Sequence, residues 1–74
     1  MPYVNIKVTR EGGPDGVGPS AEQKAQLIKG TTDVLERVLN KKPATTFVTI
    51  DVVDMEDWGV GGLPVTEYRK SLSG

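Results

Sequence analysis

The stretch SAEQKAQLIKGTTDVLERVLN, from Ser20 to Asn40, decides the fold. Its apolar positions, Ala25, Leu27, Ile28, Thr31, Val34, Leu35, Val38 and Leu39, recur three and four residues apart, the spacing of one face of a helix. Ser20 followed three residues later by Gln23 is a capping box, in which each side chain satisfies a backbone N–H of the other. Glu22, Lys24, Lys29, Glu36 and Arg37 decorate the outer face. The helix is predicted to run to about Leu39, with Asn40 as the residue after it and Pro43 preventing its continuation.

Outward from this helix lie two strands. Before it, Tyr3 to Thr9 alternates, with Val4, Ile6 and Val8 on one face and Tyr3, Asn5, Lys7 and Thr9 on the other. After it, Thr45 to Val53 is rich in β-branched residues, with Val48, Ile50 and Val52 on one face and Phe47, Thr49, Asp51 and Val53 on the other. Strand, helix, strand implies a right-handed crossover and a parallel pair. Between the first strand and the helix, Gly12, Gly13, Gly16 and Gly18 surround a Pro14-Asp15-Gly16 turn signal and read as a flexible excursion. Beyond the second strand, Asp54 to Asp57 is an acidic turn, residues 58–62 (WGVGG) a short hairpin, and Pro64 to Lys70 a final helical turn or tail. The expectation is an α/β protomer of one domain, residues 1–74, with no repeat and no linker.

Seventy-four residues build a thin core. Disulfides cannot compensate, because there is no cysteine, and the absence of histidine and of calcium-loop spacing argues against a structural metal. Association remains: two strands and one helix leave a sheet face and a sheet edge for a partner, so an oligomer is expected. The net charge of −1, with both signs interspersed and no basic stripe, argues against nucleic acid as the main partner. No apolar run is long enough to cross a membrane. No signal peptide is legible in the opening residues, and a cytoplasmic location is expected.

Without histidine or cysteine there is no Ser-His pair, no thiolate and no histidine metal site. The glycine loop matches neither a Walker nor a dinucleotide pattern. Pro2 is the remaining acid–base candidate. A small residue after the initiator methionine favours its removal, which leaves proline as a free secondary amine. An α-amino group titrates near roughly 7.7–8.0, proline's somewhat higher, and an apolar pocket or nearby cations would lower that value. The alternative is a proline that merely follows the start methionine. Asp51, Asp54, Glu56 and Asp57 read as solvated acids rather than a metal site.

The opening MPYVNIKVTREG, then AEQKAQLI at 21–28, then the WGVGG motif beginning at Trp58, resemble the 4-oxalocrotonate tautomerase family over most of the chain and in order. The resemblance implies a β-α-β protomer with two parallel strands, one long helix and a short C-terminal hairpin, pairing into dimers and commonly into a hexamer. It implies a cofactor-free keto–enol tautomerase in which Pro2 moves a proton next to a carbonyl. The substrate would be a small 2-hydroxydienoate or enol acid such as 2-hydroxymuconate or phenylenolpyruvate, in a setting of aromatic compound degradation. Family arginines hold substrate carboxylates. Arg10 lies in the region of the first, one shift out of register, and reads equally as a solvated loop residue. Counting back from Trp58, Phe47 stands where the second is found. That departure points to a monoacid or aromatic substrate, or to a second chain type supplying the charge; Arg37, Arg69, Lys7 and Lys70 are the candidate replacements. Trp58 matches an aromatic that walls the family's site, and reads otherwise as core or interface. Val60 stands where dehalogenating relatives carry an acid, which disfavours that chemistry. The expected site is thus Pro2 as base with Arg10, Trp58 and Phe47 at the substrate, with no metal and no cofactor. The alternative is a non-catalytic or partner-dependent subunit of a hetero-oligomer.

Overall fold

The computed structural model describes residues 1–73. Strand β1 (Tyr3–Thr9) is followed by helix α1 (Ala21–Leu39), strand β2 (Phe47–Val53), the two-residue strands β3 (Gly59–Val60) and β4 (Leu63–Pro64), and helix α2 (Val65–Leu72). β1 and β2 pair in parallel from Tyr3↔Phe47 to Thr9↔Val53, so the expected β-α-β unit is present. The β1 bounds agree with the alternation. α1 begins at the capping box: the Gln23 N–H donates to Ser20 Oγ at 3.1 Å and the Ser20 N–H to Gln23 Oε1 at 3.0 Å. It ends at Asn40, whose left-handed backbone (φ 56°) returns its N–H to the Glu36 carbonyl.

Three expectations need correction. β2 starts at Phe47 rather than Thr45, because Pro43–Thr45 forms a 3-10 turn. The N–H of Thr45 and the hydroxyl of Thr46 bond the Lys42 carbonyl at 3.1 and 2.9 Å, and local bonds of this kind compete with the strand ladder. The final helical turn or tail is a two-turn helix, α2, packed on the β3–β4 hairpin. The glycine loop is a folded turn rather than a loose excursion: the Gly18 N–H bonds the Gly12 carbonyl at 3.0 Å and Gly18 is buried. Gly13 (φ 74°) closes it, since a Cβ there would lie 2.0 Å from the Gly18 carbonyl oxygen.

Helix α1 lies along the sheet face carrying Val4, Ile6, Val8, Val48, Ile50 and Val52, all of which stay half-exposed. Among the described residues only Val65, at 7 % exposure, is a buried hydrophobic side chain. The opposite sheet face is a polar ladder. Tyr3 Oη meets Thr49 Oγ1 at 3.2 Å, Asn5 Nδ2 donates to Thr49 Oγ1 and Asp51 Oδ2, and Lys7 Nζ donates to Asp51 Oδ2 at 2.7 Å.

Candidate active site

The parallel register gives the sheet two distinct ends. β1 and β2 both start at the end that carries Pro2 and both finish at the end that carries Arg10. Pro2 is half-buried, and its carbonyl accepts the Phe47 N–H at 3.0 Å. That bond extends the ladder one step before Tyr3 and fixes the backbone of Pro2. Tyr3 and Phe47 are register partners, 65 % and 51 % exposed, so two aromatic side chains flank this end. Met1 is 87 % exposed, and while it is attached the Pro2 nitrogen is an amide.

Arg10 follows β1 at the other end. Its N–H bonds the Val53 carbonyl at 2.8 Å, its Nε donates to Asp54 Oδ1 at 2.6 Å, and its Nη2 to the Val52 carbonyl at 3.3 Å. Trp58 comes after β2. It closes the 3-10 turn Met55–Asp57, stays half-buried, and accepts the Val65 N–H on its carbonyl at 2.8 Å. The structure therefore brings Pro2 together with Phe47, and leaves Arg10 and Trp58 at the opposite end. Six residue steps of strand separate the two ends, about 20 Å.

Of the other cations singled out, Lys7 is held by Asp51, Lys70 lies 3.6 Å from Glu67, and Arg69 is bound at both nitrogens by Glu11, at 2.8 and 2.9 Å. Glu11 also accepts the Thr9 hydroxyl. The Arg69 guanidinium, with help from Thr9, pushes the Glu11 carboxyl down to about 2. Lys7 and Asn5 lower that of Asp51. Nothing local in the sequence signals the Glu11–Arg69 pair, whose partners are far apart in the chain. An open cleft of about 410 Å³ lies beside this pair, lined by Val8, Pro19, Leu27, Glu11, Gln23 and Gln26. It sits at the Arg10 end, away from Pro2 of the same chain. The carboxylates of Asp54, Glu56 and Asp57 come within 4.8 Å of one another, but they are exposed and Asp54 is occupied by Arg10.

The chemistry available at the Pro2 end is that of a fixed secondary amine, once Met1 is gone, beside two aromatic rings. At the Arg10 end it is that of guanidinium groups, an indole and a cleft.

Comparison with known proteins adds to this geometry. The family model described as "Tautomerase enzyme" matches residues 2–68. The chain is 49 % identical to "Probable tautomerase K2" of Dickeya dadantii (strain 3937), over 99 % of this chain and 100 % of that protein. Its fold is similar to the crystal structure of DmpI from Helicobacter pylori, with a TM-score of 0.80 at 45 % identity, covering 93 % of this chain and 97 % of the other. It is also similar to a heterohexamer 4-oxalocrotonate tautomerase from Chloroflexus aurantiacus J-10-fl, with a TM-score of 0.73 at 25 % identity, covering 90 % and 97 %.

Proposed function

The chain belongs to the tautomerase family and is an isomerase of the 4-oxalocrotonate tautomerase type; from that premise we propose that it is a cofactor-free keto–enol tautomerase whose base is the amine of Pro2. The observation that carries the reading is the Phe47 N–H to Pro2 carbonyl bond, which fixes the residue at the head of β1. Removal of Met1 converts the Pro2 amide into a secondary amine. The neutral amine takes the hydroxyl proton of a 2-hydroxydienoate or related enol acid. The O–H electron pair becomes the carbonyl π bond, the double bonds shift along the chain, and the ammonium returns its proton to a distal carbon. One group acts as base and then as acid, and nothing is consumed.

A site that uses Pro2, Phe47, Arg10 and Trp58 together draws them from more than one copy, since one chain holds them about 20 Å apart. Arg10, brought in from a neighbouring copy, would oppose the charge that develops on the dienolate oxygen. Trp58 would keep the neighbouring amine in apolar surroundings, which disfavours its charged form. The heterohexameric relative from Chloroflexus aurantiacus supports both assembly and a second reading, a partner-dependent subunit. That second reading is favoured by the aromatic pair Tyr3 and Phe47 at the Pro2 end, where no strand residue supplies a positive charge.

The test is ketonisation of 2-hydroxymuconate and phenylenolpyruvate by methionine-processed protein, with Pro2→Ala beside it. Turnover that collapses in the variant is the expected result. Phenylenolpyruvate should be the better substrate, given the exposed rings of Tyr3 and Phe47. No turnover of either, with the amine confirmed free by mass spectrometry, would sink the reading and leave the partner-dependent subunit.

A further inference from the structure

Five of the nine Lys and Arg side chains have an acidic partner within 4 Å: Lys7, Arg10, Lys29, Arg69 and Lys70. Four have none among the described residues, namely Lys24, Arg37, Lys41 and Lys42. Lys24 lies in the first turn of α1, at the Arg10 end. The other three cluster where α1 ends and β2 begins, which is the Pro2 end. Glu36 is the one carboxylate that the sequence places between Val34 and Thr49. The end of the molecule that lacks a strand arginine is therefore cationic, and the opposite end, with Glu11, Asp15, Asp54, Glu56, Asp57 and Glu67, is acidic.

These three cations are not equivalent. Arg37 sits in the last turn of α1, where a positive charge complements the helix dipole. The Lys41 N–H bonds the Leu35 carbonyl, so Lys41 belongs to the helix cap. Lys42 heads the 3-10 turn that leads into β2. Its carbonyl accepts the Thr45 N–H at 3.1 Å and the Thr46 hydroxyl at 2.9 Å, and Thr46 precedes Phe47, whose N–H lies on the Pro2 carbonyl. Two hydrogen-bonded steps thus tie the backbone of Lys42 to that of Pro2. The 3-10 turn that shortens β2 is what holds Lys42 there.

We propose that Lys42 is the carboxylate-binding cation of the Pro2 end, taking the single carboxylate of an aryl or alkyl enol acid while Tyr3 and Phe47 receive its apolar part. The substrate class follows from the composition of that end: one ammonium, carried on a backbone that is hydrogen-bonded in place, and two aromatic rings fit an apolar monocarboxylate better than a diacid. A lysine is a point charge and fixes no bidentate geometry, so the class is read by charge and burial rather than by a fork of hydrogen bonds.

The substrate assignment rests on the tautomerase reading, but the cation can be tested without turnover. The probe is 3-phenylpropanoate, which has the ring and the carboxylate and cannot enolise like a keto acid. Its dissociation constant is measured by calorimetry for methionine-processed wild type, Lys42→Gln, Lys42→Arg and Lys41→Gln, at low and at physiological ionic strength. Lys42→Gln is expected to weaken binding about fivefold, the upper range for an exposed charge pair, and to flatten the salt dependence. Lys42→Arg should restore both, and Lys41→Gln should leave both unchanged. Absence of binding by wild type, an unchanged constant in Lys42→Gln, or an equal loss in Lys41→Gln would overturn the assignment. Failed turnover with normal 3-phenylpropanoate binding would instead count against Pro2 chemistry and leave Lys42 in place.

Discussion

Glu11 shows what a single side chain contributes. Its carboxylate is clasped by both nitrogens of Arg69 and by the Thr9 hydroxyl, and so joins α2 to the end of β1. Because its folded pKa is depressed to about 2, the contribution is fully present above the ordinary carboxylate range and is lost as pH falls towards 2. Asp51, lowered by Lys7 and Asn5, moves in the same direction. Thermal melts of wild type between pH 6 and about 2 should lose stability across that acid window. In Arg69→Gln the acid limb should be shallower, because Glu11 then loses the largest of the interactions that depress its pKa. Pro2 and Trp58 stand out as candidates in the sequence because their signals are local, a position and a motif. Glu11 does not, because its partner lies on another element and the pairing exists only after folding.

Among the elements, α1 is the most fully specified by its own residues. Ser20→Ala removes one of the two reciprocal bonds at its start and should lower stability by about 1 kcal/mol, read as a lower melting temperature at fixed protein concentration. Gly13→Ala should be the more damaging, because the added Cβ meets the Gly18 carbonyl oxygen in a backbone conformation that alanine disfavours. The same logic explains where the strand reading went astray. Thr45 and Thr46 carry the β-branching of a strand, but Pro43 opens a 3-10 turn and the hydroxyls find the Lys42 carbonyl first. Strand propensity here loses to a local hydrogen bond. α2 is faint in the sequence for a different reason: its short run of residues offers little periodicity, and its packing is on the hairpin that precedes it.

At the scale of the whole molecule the chain is too open to stand alone. Its radius of gyration is 15.6 Å, against about 11 Å for a compact domain of this length. It exposes 5370 Å², against about 4,450 Å² expected for a monomer of its mass. Leu27, Val34 and Val38 form an uncovered stripe on α1, with Val38 67 % exposed. In a free-standing chain, changing such residues would alter stability by no more than about 0.5 kcal/mol. Val34→Glu combined with Val38→Glu should instead shift the sedimenting species to lower mass and cut the helical signal, while wild type should show no monomer at micromolar concentration. The expectation of partners comes from length and element count alone. Which residues meet across copies is not readable there, since no pattern within one chain encodes a neighbour's position. The same holds for the candidate site, whose proposed Pro2 and Arg10 parts each stand out in the sequence but lie at opposite ends of the sheet.

A ribbon of two strands has no interior strand, so β1 and β2 each present a bare row of amides and carbonyls along one side. Bare rows recruit other strands without regard to identity, which is the ordinary route to amyloid-like stacking. The chain's guard is the Tyr3–Thr49–Asn5–Asp51–Lys7 ladder. It gives one face of the ribbon a hydrated coat whose side chains are already bonded to one another. A newly made chain is thus protected on its broad side and vulnerable along its margins until it meets a proper mate.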